Sequence, residues 1–131
     1  MQSEGKKCSL FSVKAFVVFS VFILLTIPSI VMAGGNAVNG EKVVKTRKLG
    51  NCIACHYVPV LEFPGDIGPN LVDAMKGFTP KDKDTVRQWV WDARKFNPDT
   101  IMPPFGPKKI LTKQQVDDVV AYLYTLKKYK K

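Results

Sequence analysis

Apolar side chains return at helical intervals in three stretches of the chain. In the first, from Ala37 to Leu49, Val43, Val44 and Leu49 stand among lysines and an arginine, and Gly50 follows as a C-terminal stop. The second opens with Thr79-Pro80-Lys81-Asp82, in which Thr79 suits an N-cap, Pro80 the first helical position and Asp82 the first turn. Val86, Trp89, Val90 and Ala93 then recur at i, i+3, i+4 and i+7. The third begins at Thr112-Lys113-Gln114-Gln115, the pattern of a capping box, and runs through Val116, Val119, Val120, Leu123 and Leu126. Met75 falls near the end of a further short helix. Nowhere does a convincing period-two alternation occur, so the pattern predicts an all-α fold. Two Pro- and Gly-rich stretches, Pro59 to Pro69 and Asn97 to Pro107, separate the helices. Loops this long argue against a small ordinary domain unless they enclose something.

The N-terminal pattern differs. Lys6, Lys7 and Lys14 precede an unbroken apolar or hydroxyl run from Ala15 to Ile27; Pro28 ends it, and Val31-Met32-Ala33 places short side chains before Gly34. Residues 1–33 read as a secretory signal peptide cut after Ala33, which predicts an exported, periplasmic protein with no stable membrane span after cleavage. The rival reading is an uncleaved anchor, but the apolar run is shorter than the roughly 20 residues a bilayer span requires. Residues 34–131 then form one domain, with no repeat or low-complexity linker inside it. Removing Lys6, Lys7, Lys14 and Glu4 from the 20 basic and 11 acidic residues leaves 17 against 10. This positive balance can steer an acidic protein partner, although the lysines at the C-terminus (Lys127, Lys128, Lys130, Lys131) equally serve solubility. The basic residues are dispersed and lack interleaved aromatics, so nucleic-acid binding is not expected.

Chemistry is concentrated in Cys52-Ile53-Ala54-Cys55-His56. Two thiols three positions apart, followed at once by an imidazole, form the attachment pattern for a c-type haem: each sulfur bonds one former vinyl group, and the histidine becomes an axial iron ligand. A zinc half-site would need two more ligands, and beyond Cys55 there is neither another cysteine nor a second histidine. A thioredoxin-type pair would need a βαβ setting. Cys8 leaves with the signal, so Cys52 and Cys55 are the only thiols of the exported chain and both are committed to the haem. His56 is the only histidine, which rules out bis-histidine ligation within one chain. Of the two methionines after residue 33, Met102 lies in the stiff run Asn97-Pro98-Asp99-Thr100-Ile101-Met102-Pro103-Pro104 and is the favoured sixth ligand; Met75 reads as core. A porphyrin plate would complete the core of a domain this small, and the apoprotein is expected to fold poorly.

Gly40, Cys52, Cys55, His56 and Tyr122 together resemble the class I cytochromes c. That resemblance implies N- and C-terminal helices crossing with the Tyr122 ring over Gly40, and one covalent haem c wrapped by the Pro/Gly-rich loops. It also implies that the Pro69 carbonyl, in Gly68-Pro69-Asn70-Leu71, accepts the hydrogen bond from His56 and that Leu71 packs on the haem; a plain turn at Pro69 is the alternative. More narrowly, the runs from Asp92 to Phe105 and from Ile110 to Leu123, with Glu62 to Pro69, resemble SoxX, the monohaem subunit of the SoxAX cytochromes of bacterial thiosulfate oxidation. This implies a heterodimer with a SoxA-like subunit that holds the catalytic centre of an L-cysteine S-thiosulfotransferase. It also implies action on a SoxYZ carrier cysteine and a downstream cytochrome c as electron acceptor. The alternative is a free periplasmic electron shuttle. Arg94 is a candidate for contact with a haem propionate or with the partner.

Overall fold

The computed structural model describes residues 34–59, 63 and 65–129. The signal segment 1–33 lies outside the described residues, as do positions 60–62 and 64 of the first long loop and Lys130 and Lys131. Among the described residues there are four α-helices, α1 (Ala37–Lys45), α2 (Leu71–Lys76), α3 (Lys83–Trp91) and α4 (Lys113–Thr125), with single 3-10 turns between and after them and no strand. Among the described residues, no helix is long and apolar enough to cross a membrane.

α1, α2 and α4 begin where a side chain satisfies their first free amides, whereas α3 starts at Lys83 without a side-chain cap, after a 3-10 turn Pro80–Asp82 that occupies the first helical positions expected from the sequence. Asn36 caps α1 by accepting from the amides of Val38 and Asn39 at 2.9 and 3.1 Å, and Asn70 caps α2 by accepting from Val72 at 2.8 Å. Thr112 and Gln115 form a reciprocal capping box on α4, as the sequence predicts. Thr79 and Asp82 form another, and its two bonds from Thr79 hold the Asp82 carboxyl below the usual range.

α1 and α4 form the main helix pair. Gly40 is why they can cross so closely: a Cβ built there would lie 1.9 Å from the backbone oxygen of Asp118 and 2.9 Å from the Tyr122 Cβ. Only a residue without a side chain lets one backbone rest on the other at this point. Val43 and Val44 from α1 join Val116, Val119, Val120, Tyr122 and Leu123 from α4 in the buried core. Val58 from the segment just after His56, Val72 and Met75 of α2, Val86 and Val90 of α3, and Phe105, Leu111 and Leu126 complete it. Met75 is therefore core, as its helical setting predicts. The start of α1 is tied to α4 as well: Asp118, buried at 5 % exposure, accepts from the Asn36 amide at 2.7 Å and from the Gln114 side chain at 2.9 Å. Between α3 and α4, Arg87 spans Asp117 with contacts of 2.6 and 2.8 Å.

Two helix boundaries differ from the pattern reading. α1 ends at Lys45, four residues before Leu49. Thr46 turns to extended backbone and its hydroxyl bonds the Lys42 carbonyl at 2.6 Å, while the amide of Gly50 returns to the carbonyl of Val43 at 3.1 Å. The chain doubles back along the helix, and Leu49 reaches the core from this turn. Gly50 is buried beside Val43 and is no helix cap. Ala93 likewise falls outside α3. Asp92 is extended (φ −158°, ψ 92°) and its carboxylate accepts from the amide of Arg94, a local bond that competes with helix continuation. Trp89, placed by periodicity on the buried face, is half-exposed and stacks on Phe96 with centroids 4.5 Å apart. Trp91 is the tryptophan packed against the core.

Replacing Gly40 by alanine should cost about 3 kcal/mol in denaturant unfolding of the holoprotein, the upper end for forcing atoms into a packed interior. In an unobstructed helix the same change would stabilise by about 1 kcal/mol, so the sign alone decides. Tyr122 gives a second test. Burial, helped by the nearby Glu41 and Tyr129, pushes its phenol up to about 12 from 10.0. The folded chain therefore keeps this proton where the unfolded chain has lost it, and the associated stability, full below pH 10, is lost as pH rises towards 12. Stability measured against pH should fall less steeply over this window in Tyr122→Phe than in the parent.

Candidate haem site

The CxxCH segment folds into one tight turn. Asn51 enters it in the left-handed region (φ 46°), a conformation asparagine tolerates. Cys52–Ala54 then form a 3-10 turn, and the amides of Cys55 and His56 both point back to the carbonyl of Cys52, at 3.1 and 2.9 Å. Local bonds thus place the two thiols and the imidazole on one turn of backbone. Both thiols are free, as thioether formation requires. Burial pushes the Cys52 thiol of the chain without haem up to about 11 from 9.0, which disfavours its thiolate.

The following loop closes over this turn through backbone bonds. Gly65 donates to Ile53 at 3.0 Å, Gly68 to Cys55 at 2.6 Å and Leu71 to Tyr57 at 3.1 Å. At Gly68 the approach is to the imidazole itself: a Cβ there would fall 2.5 Å from His56 Cε1 and 2.7 Å from Nδ1. The next residue, Pro69, presents its carbonyl oxygen 2.8 Å from His56 Nδ1. A carbonyl only accepts, so Nδ1 carries the hydrogen, and the lone pair of Nε2 remains for a metal. Asn70, capping α2, fixes the backbone on the far side of that carbonyl.

The structure therefore brings Cys52, Cys55, His56 and Pro69 into one bonded unit. Leu71 is joined to it by its own amide and is half-buried against the core. Met102 is held separately, in the irregular loop after α3, where its amide donates to the Thr100 hydroxyl at 3.2 Å and its side chain packs half-buried on the core. Arg94 does not extend a free guanidinium. It grips the buried carboxylate of Asp92 through Nε and one terminal nitrogen, both at 2.8 Å, and these bonds hold the Asp92 carboxyl below the usual range. Among the described residues no group of three His, Cys, Asp or Glu side chains could hold a metal ion, so a CxxC zinc site finds no second pair of ligands.

The residues present fit a covalently attached haem. Two free thiols flank a turn, a single imidazole has its outer nitrogen occupied and its inner one available, and a thioether stands in a proline-stiffened loop. Sequence reasoning passed over the part played by Gly68, whose position directly before Pro69 in the chain was the available signal. It also passed over Asp118, Trp91 and Gly106, which become notable only when distant segments meet.

The model of the cytochrome c family matches residues 37–127. No curated protein matches the chain. Among solved structures, a chain of SoxXA from P. pantotrophus is similar at 35% sequence identity and a TM-score of 0.64, covering 74% of this chain and 85% of that one. With a match across the domain and a haem attachment turn at its centre, the chain belongs to the cytochrome c family, as a SoxX-like class I member carrying covalent haem c.

Proposed function

We propose that this chain is the electron-accepting monohaem subunit of a SoxAX-type complex, exported to the periplasm on the signal formed by residues 1–33. The observation that carries this reading is the 35% identity to a chain of SoxXA, extending over 74% of this chain. In the proposed complex a SoxA-like partner holds the catalytic centre, which oxidatively joins thiosulfate to a cysteine of a SoxYZ-like carrier. The present subunit takes up the released electrons and passes them to a further cytochrome c. Its own composition supports a relay role. Beyond residue 33 the two cysteines of the CxxCH are the only thiols, which leaves none for covalent sulfur chemistry.

When bound, haem c supplies an iron that cycles between two oxidation states one electron apart. Cys52 and Cys55 would anchor it through their sulfurs, and His56 would bind the iron through Nε2. The Pro69 carbonyl keeps the imidazole in the tautomer that offers Nε2 and fixes its orientation. Leu71 would line the haem pocket. Met102 would supply the second protein ligand to the iron, and a thioether donor would favour ferrous over ferric iron and raise the potential.

Protein purified from its native host under low salt should elute with a second c-type cytochrome, visible as an additional haem-staining band. Elution alone would leave a free electron shuttle as the better reading. For the ligand set, Met102→Ala should abolish the weak near-infrared sulfur–iron band of the ferric protein and lower its potential, while haem stays attached under denaturing electrophoresis. An unchanged band would move the sixth position to Met75 or another group.

A further inference from the structure

The loop that carries Met102 is closed at its base by a seam between residues distant in sequence. Trp91, the last residue of α3, offers its carbonyl to the amide of Gly106 at 2.9 Å. At the same point the Gly106 backbone lies on the indole: a Cβ built there would sit 2.0 Å from two Trp91 ring atoms. The residues between, 92 to 105, form a loop whose two ends are held together, with Met102 inside it. Beside the seam, Asp92 is buried to 7 % exposure and is gripped by Arg94 through two bonds of 2.8 Å. On the far side Phe105 is buried, and its carbonyl accepts from the amides of Ile110 and Leu111 at 2.8 and 3.2 Å. Within the loop, by contrast, Ile101 is 80 % exposed, and Met102 is held by one local bond from its amide to the Thr100 hydroxyl and by its half-buried packing on the core.

This distribution is uneven in a way that matters for a weak ligand. A thioether holds iron loosely, so its time on the metal depends on how well the backbone presents it. The interior of the loop is stiffened by Pro98 and Pro103, both exposed, which restrict the chain without attaching it to the domain, while Pro104 is buried next to the base. Attachment comes from the base. Closing the ends of a loop removes most of the freedom that a ligand bond would otherwise have to remove, so a seam that opens releases the whole segment at once.

We propose that the Trp91–Gly106 seam, with the Asp92–Arg94 pair beside it, is the positioning device for Met102. Opening at this base sets how often the thioether leaves the iron, and hence how fast an outside ligand takes its place. The proposal rests on the reading of Met102 as sixth ligand, and the measurement separates the two.

Ferric holoprotein is mixed with imidazole in a stopped-flow instrument while the Soret band is followed. At saturating imidazole the observed rate levels off at the rate of loop opening. Gly106→Ala drives a methyl group into the indole and Trp91→Leu removes the ring; each should raise this plateau about tenfold, equivalent to 1.4 kcal/mol. Arg94→Gln should raise it about threefold, the scale of a partly exposed ion pair. Val44→Ala, a cavity in the α1–α4 core, should lower overall stability and leave the plateau where it is. If Gly106→Ala does not accumulate, Trp91→Phe takes its place with a smaller rise. An unchanged plateau in the seam variants, or an equal rise in Val44→Ala, overturns the proposal. Met102→Ala should bind imidazole with a rate that never levels off. If it keeps the parental plateau, Met102 is not the group displaced, and the ligand reading falls together with the seam. If its plateau vanishes while the seam variants behave as the parent, the seam alone is wrong.

Discussion

One hydrogen bond, from His56 Nδ1 to the carbonyl of Pro69 at 2.8 Å, governs what this domain can do with iron. It leaves Nε2 with its lone pair and fixes the plane of the only imidazole in the chain. Its acceptor is held from both sides. Gly68 bonds back to Cys55 and Asn70 caps α2, so the carbonyl cannot drift without loosening the attachment turn or the helix. The absence of a side chain at Gly68 lets the loop lie against the ring. Binding turn, closing loop and short helix therefore move as one body, which is what a metal ligand of fixed orientation requires.

Around that unit the four helices act as a frame more than as a site. The crossing of α1 over α4 is a contact of backbone on backbone, made possible by Gly40 and secured by Asp118, which joins the first turn of α1 to the middle of α4. The chain thereby brings its two terminal helices together and leaves the irregular segments between them to carry the functional side chains. This division of labour suits a relay: electron transfer gains from a site that changes little between oxidation states, and rigid elements supply that constancy.

The two candidate axial residues are supported differently. His56 lies on a segment knitted together by short-range bonds within the attachment turn and its covering loop. Met102 lies on a loop whose ends are joined by the bond from Gly106 to Trp91, and its side chain rests half-buried on the core. One side is built to hold and the other to be held.

What the amino-acid order determined directly was local chemistry. The spacing of Cys52, Cys55 and His56, the N-cap at Thr79, the capping box at Thr112, and the apolar register of Val116 to Leu126 depend on neighbours within a turn or two of helix, and a linear reading captures them. The ends of α1 and α3 escaped it because there a side-chain bond outcompetes helix propagation: Thr46 turns back on Lys42, and Asp92 captures the amide of Arg94. The assignment of the core-facing tryptophan to Trp89 failed because Phe96 returns to stack on that ring, while Trp91 finds its surface in Gly106, fifteen residues on. Such partners are chosen only when the chain closes, because burial is shared between segments that no window of sequence contains. Periodicity names a face; what covers that face is decided by the tertiary structure.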